Sequence, residues 1–425
     1  MNWNDLKKKF FVSSITKLVA SFGVFVFNIF IIYSTEYNTL GILNSAISLI
    51  IFLSIFTKFG LHLATLKLIS IFFEDKNIFK INQLIIQSII ISGTISILFA
   101  LTIIIFENFI ALSFYKTDEI KGVLKIFAIT LPIFTFVQLQ KSLFKSFKIP
   151  ELSVLSDIGA ILFLTSLMML GFQLILELTI YRISIFFLFS CLLIFSLNNF
   201  ILFYVMLKKS ESINFKKINI SDTKLVKSLP DYFLIDFINF ITVWGSIFLI
   251  SFFLDFKTVG FFSSTYWMAY SLLFFPLVLN SIYAPYFAIN LNKKNKIKQK
   301  KKFFENRNLS LLITMPIFIV LFFFSSFILE FILKIYLNEF DLIFKILLIN
   351  SLIRIIFGPQ TLFINMSNDQ KTLKFILITT GLLQFLGVII SLVFFDLIIL
   401  SASLLITNFF KHVWLRKVLV KKLEY

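Results

Sequence analysis

Apolar stretches of about twenty residues recur along the chain, separated by short polar connections. Read at this period, the sequence divides into about twelve spans, near 11–33, 40–62, 83–106, 121–141, 152–176, 183–207, 231–254, 259–288, 308–330, 341–364, 373–395 and 397–418. A helix needs roughly twenty apolar residues to cross about 30 Å of hydrocarbon. Only helices and closed barrels satisfy their own backbone there. The pattern predicts an all-α integral membrane protein with about 12 transmembrane helices.

The polar connections alternate in sign. One set carries Lys7–Lys9, Lys67, Lys76 and Lys80, Lys141, Lys145 and Lys148, the lysines from Lys208 to Lys227, the run Lys293–Arg307, Lys371, Lys374 and the tail from Arg416 to Lys422. The other carries Glu36, Glu107, Asp118, Glu119, Glu177, Asp255, Glu330, Glu339, Asp341 and Asp396. Cytoplasmic loops collect Lys and Arg, so both termini of this multi-pass chain are expected to be cytoplasmic. The acidic connections are all short, the longest being roughly Glu107–Ile120.

A basic linker at 208–230 separates an N-terminal six-helix half (1–207) from a C-terminal one (231–425). Thr39-Leu40-Gly41 recurs as Thr258-Val259-Gly260, and Leu143-Phe144 as Leu362-Phe363, both 219 residues later. One offset shared by two separate places predicts pseudo-symmetric halves. Parallel repeats of this kind belong to transporters, and substrate is expected to pass between the halves.

Several spans carry polar residues at helical spacing: Ser14, Lys17, Ser21 and Asn28; Asn44, Ser48, Ser54 and Lys58; Asp236, Asn239 and Ser246; Asn350, Arg354, Thr361 and Asn365. Hydroxyls and amides at such positions also serve as interhelical glue. Charges discriminate better. Arg354 stands near mid-span, where a charge costs about 2.5–3.5 kcal/mol on insertion scales, which points to water, a carboxylate or an anionic ligand beside it. Its planar fork suits phosphate. Lys17, Lys58 and Lys125 lie nearer span ends, where snorkelling competes with a cavity role. The candidate substrate-binding set is Arg354, Lys17, Lys58, Lys125, Asn28 and Asn44. Asp236, with no long stem, is the leading gate or ion-coupling candidate; it sits 219 residues after Lys17, which predicts a pair between the two. Asp157 is a second such candidate, near a span end.

Composition narrows the class further. The chain is 59% hydrophobic and 15% charged, far from a soluble domain of 425 residues. Net charge is +18; with the basic residues in short loops, an anionic leaflet explains it and nucleic acid is not an expected partner. Cys191, His62 and His412 form no metal-ligand spacing. No Walker A or GxSxG pattern is present, so neither enzyme chemistry nor a cofactor is expected.

The stretch Tyr37-Asn-Thr-Leu-Gly41, followed by Phe59-Gly-Leu61 and Ala64-Thr-Leu-Lys67, resembles the opening of Wzx-type polysaccharide flippases. So do Ser228-Leu-Pro230, Thr258-Val-Gly-Phe261 and Ala284-Pro285. These flippases belong to the multidrug/oligosaccharidyl-lipid/polysaccharide exporter superfamily. The resemblance implies transfer of an undecaprenyl-diphosphate-linked oligosaccharide, such as an O-antigen or capsule repeat unit, to the outer leaflet. It also implies a cationic cavity and a place in a bacterial cytoplasmic (inner) membrane, and it leaves a polysaccharide polymerase open as a further partner. A multidrug cation antiporter of the same superfamily would need carboxylates where this chain places more bases. A flippase for lipid II usually has fourteen spans. A membrane glycan polymerase would need a large outer loop, and the connections do not supply one.

Overall fold

The computed structural model describes the backbone of residues 3–74, 77–147, 149, 151–173, 175, 177–207, 223–292, 296–366 and 370–424. Side chains are described there except at 3–15, 18, 21, 74, 206–207, 223–228, 284–286, 288–292, 296, 366, 370 and 422–424. Ser14, Ser21, Ala284, Pro285, Ser228 and the linker core 208–222 therefore lie outside the described side chains.

Every regular element among the described residues is a helix, in the order α1 (Trp3–Ser34), α2 (Tyr37–Lys58), α3 (Leu61–Glu74), α4 (Ile78–Ile105) and a turn α5 (Glu107–Phe109). Next come α6 (Lys121–Ser146), α7 (Ile158–Phe172), α8 (Ile180–Leu207), α9 (Thr223–Val243), α10 (Gly245–Ile250), α11 (Phe256–Tyr270), α12 (Phe274–Asn292) and α13 (Lys296–Phe323). The chain closes with α14 (Ser325–Phe331), α15 (Asn338–Phe357), α16 (Gln360–Met366), α17 (Gln370–Val393) and α18 (Leu397–Glu424).

Among the described residues, eight helical segments are long and apolar enough to cross a membrane, and Phe22–Ser34, Leu61–Phe73 and Ile158–Phe172 are shorter apolar helices. The expected tenth span, α15, is twenty residues long but carries Glu339, Asp341, Lys345 and Arg354. The stretch read as a basic connection after the second span is instead partly the helix α3. Local chemistry explains several ends. Asp255 caps α11 by accepting from Thr258 N (3.0 Å) and from the Thr258 hydroxyl (2.8 Å). Asp396 caps α18 through Ile398 N and Ile399 N, and Asn77 caps α4 through Lys80 N. Each such cap is worth about 1 kcal/mol, so some of the acidic residues between spans also start helices.

The chain forms two compact units, one of Met1–Gly41 with Ile241–Tyr425, the other of Ile42–Phe240. By contact, then, α1 groups with the C-terminal helices. In the first unit α1 packs on α11 and α12, and α15, α17 and α18 pack together. The two repeated glycine motifs meet inside this unit. A Cβ on Gly41 would overlap the carbonyl of Phe256, and a Cβ on Gly260 would overlap the carbonyl of Tyr37. Only glycine at both positions lets α2 and α11 cross backbone to backbone. In the second unit α4, α6 and α8 pack in series, with α3 laid on α6. The second repeated pair supplies a core phenylalanine to each unit: Phe144 to one and Phe363 to the other, both fully buried.

Candidate functional site

In the first unit α11, α15, α17 and α18 surround a polar cavity of about 20 Å³, room for roughly one water molecule. Arg354, Lys411, Asn350, Asn408, Gln384 and Tyr270 line it. Arg354 occupies the last turn of α15, which ends where Gly358 adopts φ 74° ahead of Pro359. Its guanidinium carbon lies 5.7 Å from the centre of the Tyr270 ring, within cation–π range. Lys411 of α18 is only 8% exposed. Neither cation has a carboxylate partner among the described residues, and no carboxylate lines the cavity.

Amides complete the site. Asn408 donates from Nδ2 to Asn350 Oδ1 at 2.8 Å and to the Asn350 carbonyl at 3.1 Å. Its Oδ1 is buried without a hydrogen-bond partner among the described residues. Gln384 donates to the Ile241 carbonyl at 3.2 Å. The wall therefore offers an arginine and a lysine, amide dipoles and one open acceptor. Such a surface suits an anion that also carries hydroxyls, and it repels a cation.

Of the expected stripe on the tenth span, Asn350 and Arg354 reach the cavity. Thr361 and Asn365 fall beyond the break at Gly358 on α16, where Asn365 is exposed. Lys411, Gln384 and Asn408 escaped the sequence reading. Lys411 lies five residues before Arg416 and reads as the start of the basic tail. The spacing Asn408–Lys411, one helical turn, was the available signal.

The other candidates lie elsewhere. Lys17 on α1 is half-buried, and Asn28 on the same helix is buried, donating to the Val24 carbonyl at 2.7 Å. In the second unit Asn44, Ser48, Ser54 and Lys58 are all buried on α2. Ser48 and Ser54 bond to carbonyls one turn earlier, as packing residues do. Lys125 is paired with Glu107 at 2.8 Å and is half-exposed.

Lys58 belongs to a charged cluster of five. The break after α2 places Phe59 and Gly60 at positive φ, 40° and 75°. A Cβ on Gly60 would meet the Leu229 carbonyl and Tyr232 Cβ of α9, both at 2.7 Å. That close approach brings His62 to Asp236, with Nε2 3.3 Å from Oδ1. Lys58 and Lys141 act on the same carboxylate, and Lys141 is ion-paired with Asp157 at the start of α7. Asp236 and Asp157 thus share one cluster, and His62, set aside as a lone histidine in the sequence, is the direct partner of Asp236. Lys17, the expected partner, belongs to the other unit. Among the described residues, no group of three or more His, Cys, Asp or Glu is arranged to hold a metal ion.

A family described as "Polysaccharide biosynthesis protein" matches residues 34–336, well over half of the chain. The chain belongs to that family. No curated protein gives a significant match. Among solved structures, the chain is similar to lipid II flippase MurJ in an inward closed conformation, with TM-score 0.69, 15% identity, and 97% of this chain and 89% of that one covered. It is similar to an inward-facing multidrug resistance MATE family transporter of the MOP superfamily, with TM-score 0.67, 10% identity and coverage of 96% and 98%. It is also similar to a MOP superfamily transporter from Pyrococcus furiosus described as having a binding pocket of reversed polarity, with TM-score 0.63, 11% identity and coverage of 99% and 97%. At these identities the likeness establishes the fold, that of MOP-superfamily transporters.

Proposed function

We propose that the protein is a flippase for an anionic, polyprenyl-diphosphate-linked oligosaccharide, moving it from the cytoplasmic to the outer leaflet during surface-polysaccharide assembly. In this reading it has twelve spans in two pseudo-symmetric halves, 1–207 and 231–425, joined by the 208–230 linker. Both termini face the cytoplasm of a bacterial cell, and the step proceeds by alternating access. A polysaccharide polymerase would receive the product on the outer side.

The observation that carries this reading is the cavity holding Arg354 and Lys411 with no acidic partner among the described residues. A charge inside a bilayer is kept where a counter-charge visits it. A drug-cation antiporter would show the opposite sign. At about 20 Å³ the cavity is an anchoring point and not the whole path; it is sized to grip an oxygen of a phosphate or an acidic sugar, while Asn408 Oδ1 accepts from a hydroxyl.

The deciding experiment measures the sidedness of lipid-linked oligosaccharide in host cells with and without the gene. Accumulation of complete units on the cytoplasmic leaflet in its absence supports flipping. Normal arrival of single units outside, without their being joined, overturns it in favour of polymerisation.

A further inference from the structure

A second cationic recess lies in the same unit, away from the Arg354–Lys411 cavity. It is a groove of about 180 Å³ between α13 and α18, closed by the α15–α16 break. Lys300 and Arg307 come from α13 and Arg416 from α18, while Phe303, Phe304 and Gln360 form part of the wall. No lining residue is acidic. Glu305, the nearby carboxylate on α13, is held by Lys302 at 2.8 Å and by the Tyr283 hydroxyl at 2.9 Å.

The groove is built and not incidental. Arg307 stacks on Phe304, with 4.6 Å from its guanidinium carbon to the ring centre, and donates to Asn308 Oδ1 from Nε and from one terminal nitrogen at 3.2 and 3.0 Å. A Cβ on Gly358 would lie 3.0 Å from the Arg307 stem, so the glycine makes room for it. Gln360 is fully buried, with Oε1 3.0 Å from His412 Nδ1.

Two helices cross from charged to apolar sequence at this depth. On α13 the charged run from Lys296 ends at Arg307, and the helix then continues apolar to Phe323. On α18 the long apolar stretch gives way to Arg416, Lys417 and Lys421. Arg307 and Arg416 thus mark the polar–apolar boundary on neighbouring helices. Beyond it, Leu312, Ile319 and Phe323 are exposed along one face of α13, about 130° around the helix from Lys300 and Arg307 at about 100° per residue.

We propose that this groove binds the phosphate of an anionic bilayer phospholipid, gripped by Arg307, Arg416 and Lys300, with its acyl chains along the exposed face of α13. Guanidinium groups at headgroup depth are suited to a phosphodiester, and the exposed apolar side of the same helix supplies what a soluble phosphate would not need. The site goes beyond the flippase reading and stands or falls without it.

The test uses the full chain in nanodiscs of phosphatidylcholine with or without phosphatidylglycerol. Lipid retained after detergent extraction is counted by native mass spectrometry, with inorganic phosphate as competitor. The wild type is expected to retain phosphatidylglycerol over phosphatidylcholine, and millimolar phosphate should leave that retention unchanged. Arg307→Gln with Arg416→Gln should lower retention about tenfold. Lys300→Glu, at an exposed position, should lower it in the same direction if the double variant does not fold. Equal retention of the two lipids, or full displacement by inorganic phosphate, would overturn the proposal. So would undiminished retention in the folded variants. None of these readouts depends on glycan transport, so the outcome is separable from that of the flipping experiment.

Discussion

The imidazole Nε2 of His62 stands 3.3 Å from the carboxylate Oδ1 of Asp236, with both side chains about six-sevenths buried. Around them Lys58 and Lys141 face Asp236, and Asp157 pairs with Lys141. With His62 neutral, this cluster holds two positive and two negative charges, so it balances. Removing one member leaves a charge without its partner in a poorly hydrated place, which typically costs about 3 kcal/mol. Asp236→Asn is therefore expected to lower the thermal midpoint in detergent clearly, and Asp236→Asn with Lys58→Met to recover at least half of the loss. Purely additive losses would show that Lys58 and Asp236 do not compensate each other.

The crossing of Gly41 and Gly260 makes a stability prediction that no charge enters. At Gly260 an added Cβ would meet the backbone of Tyr37 and would lie 3.3 Å from Gly41 N. Backbone atoms cannot swing aside as a side chain does, so Gly260→Ala should cost at least about 1–3 kcal/mol. Gly171, on α7, has nothing within 4 Å of an added Cβ. Gly171→Ala should be neutral or stabilising by up to about 1 kcal/mol, the ordinary helix preference of alanine. Melting curves of the two variants side by side would check this, since both add the same methyl group to a helix.

Lys125 gives the contrasting case. Its ion pair with Glu107 leaves the lysine half-exposed, and exposed pairs contribute about 0–1 kcal/mol. Lys125→Ala should leave both the melting midpoint and transport close to wild type. A loss of transport of tenfold or more would instead support Lys125 as a substrate contact.

Much of the helical order was legible because hydrophobic period alone decides it: α2, α4, α8 and α17 each start and end within about five residues of an expected span, whereas α13 begins twelve residues before the span expected at 308–330. The misses have physical reasons. α3 is only fourteen residues and follows a break at Phe59–Gly60, so its apolar face reads as a loop between longer runs. The tenth span breaks at Gly358, a left-handed residue ahead of a proline, and this removes Thr361 and Asn365 from the stripe that period 3.6 assigns them. Arg354 was legible as a charge among apolar residues. Lys411 was not, since its burial depends on α15 and α17 packing over it. The His62–Asp236 contact joins residues 174 positions apart in sequence (236 − 62), and nothing local to either announces it.

The cavity of Arg354 and Lys411 allows function and stability to be pulled apart. A lysine kept only for folding would be missed when removed; one kept for an anionic ligand should be an energetic burden without it. Replacing an uncompensated buried charge by an apolar residue of similar length is often neutral or stabilising. Lys411→Met is therefore expected to hold or raise the thermal midpoint while lowering outward transfer of lipid-linked oligosaccharide at least tenfold, equivalent to about 1.4 kcal/mol of lost interaction. Asn408→Asp sharpens the point, because it sets a carboxylate one helical turn before Lys411, where opposite charges attract. That variant also loses the two hydrogen bonds Asn408 donates to Asn350, so its thermal midpoint should fall somewhat, and its carboxylate would occupy the cation and repel an incoming phosphate. Transfer should then fall, and Asn408→Asp with Lys411→Met should not restore it. If either single variant keeps wild-type transfer while the protein remains folded, the two cations are structural and the anchoring role assigned to them is wrong.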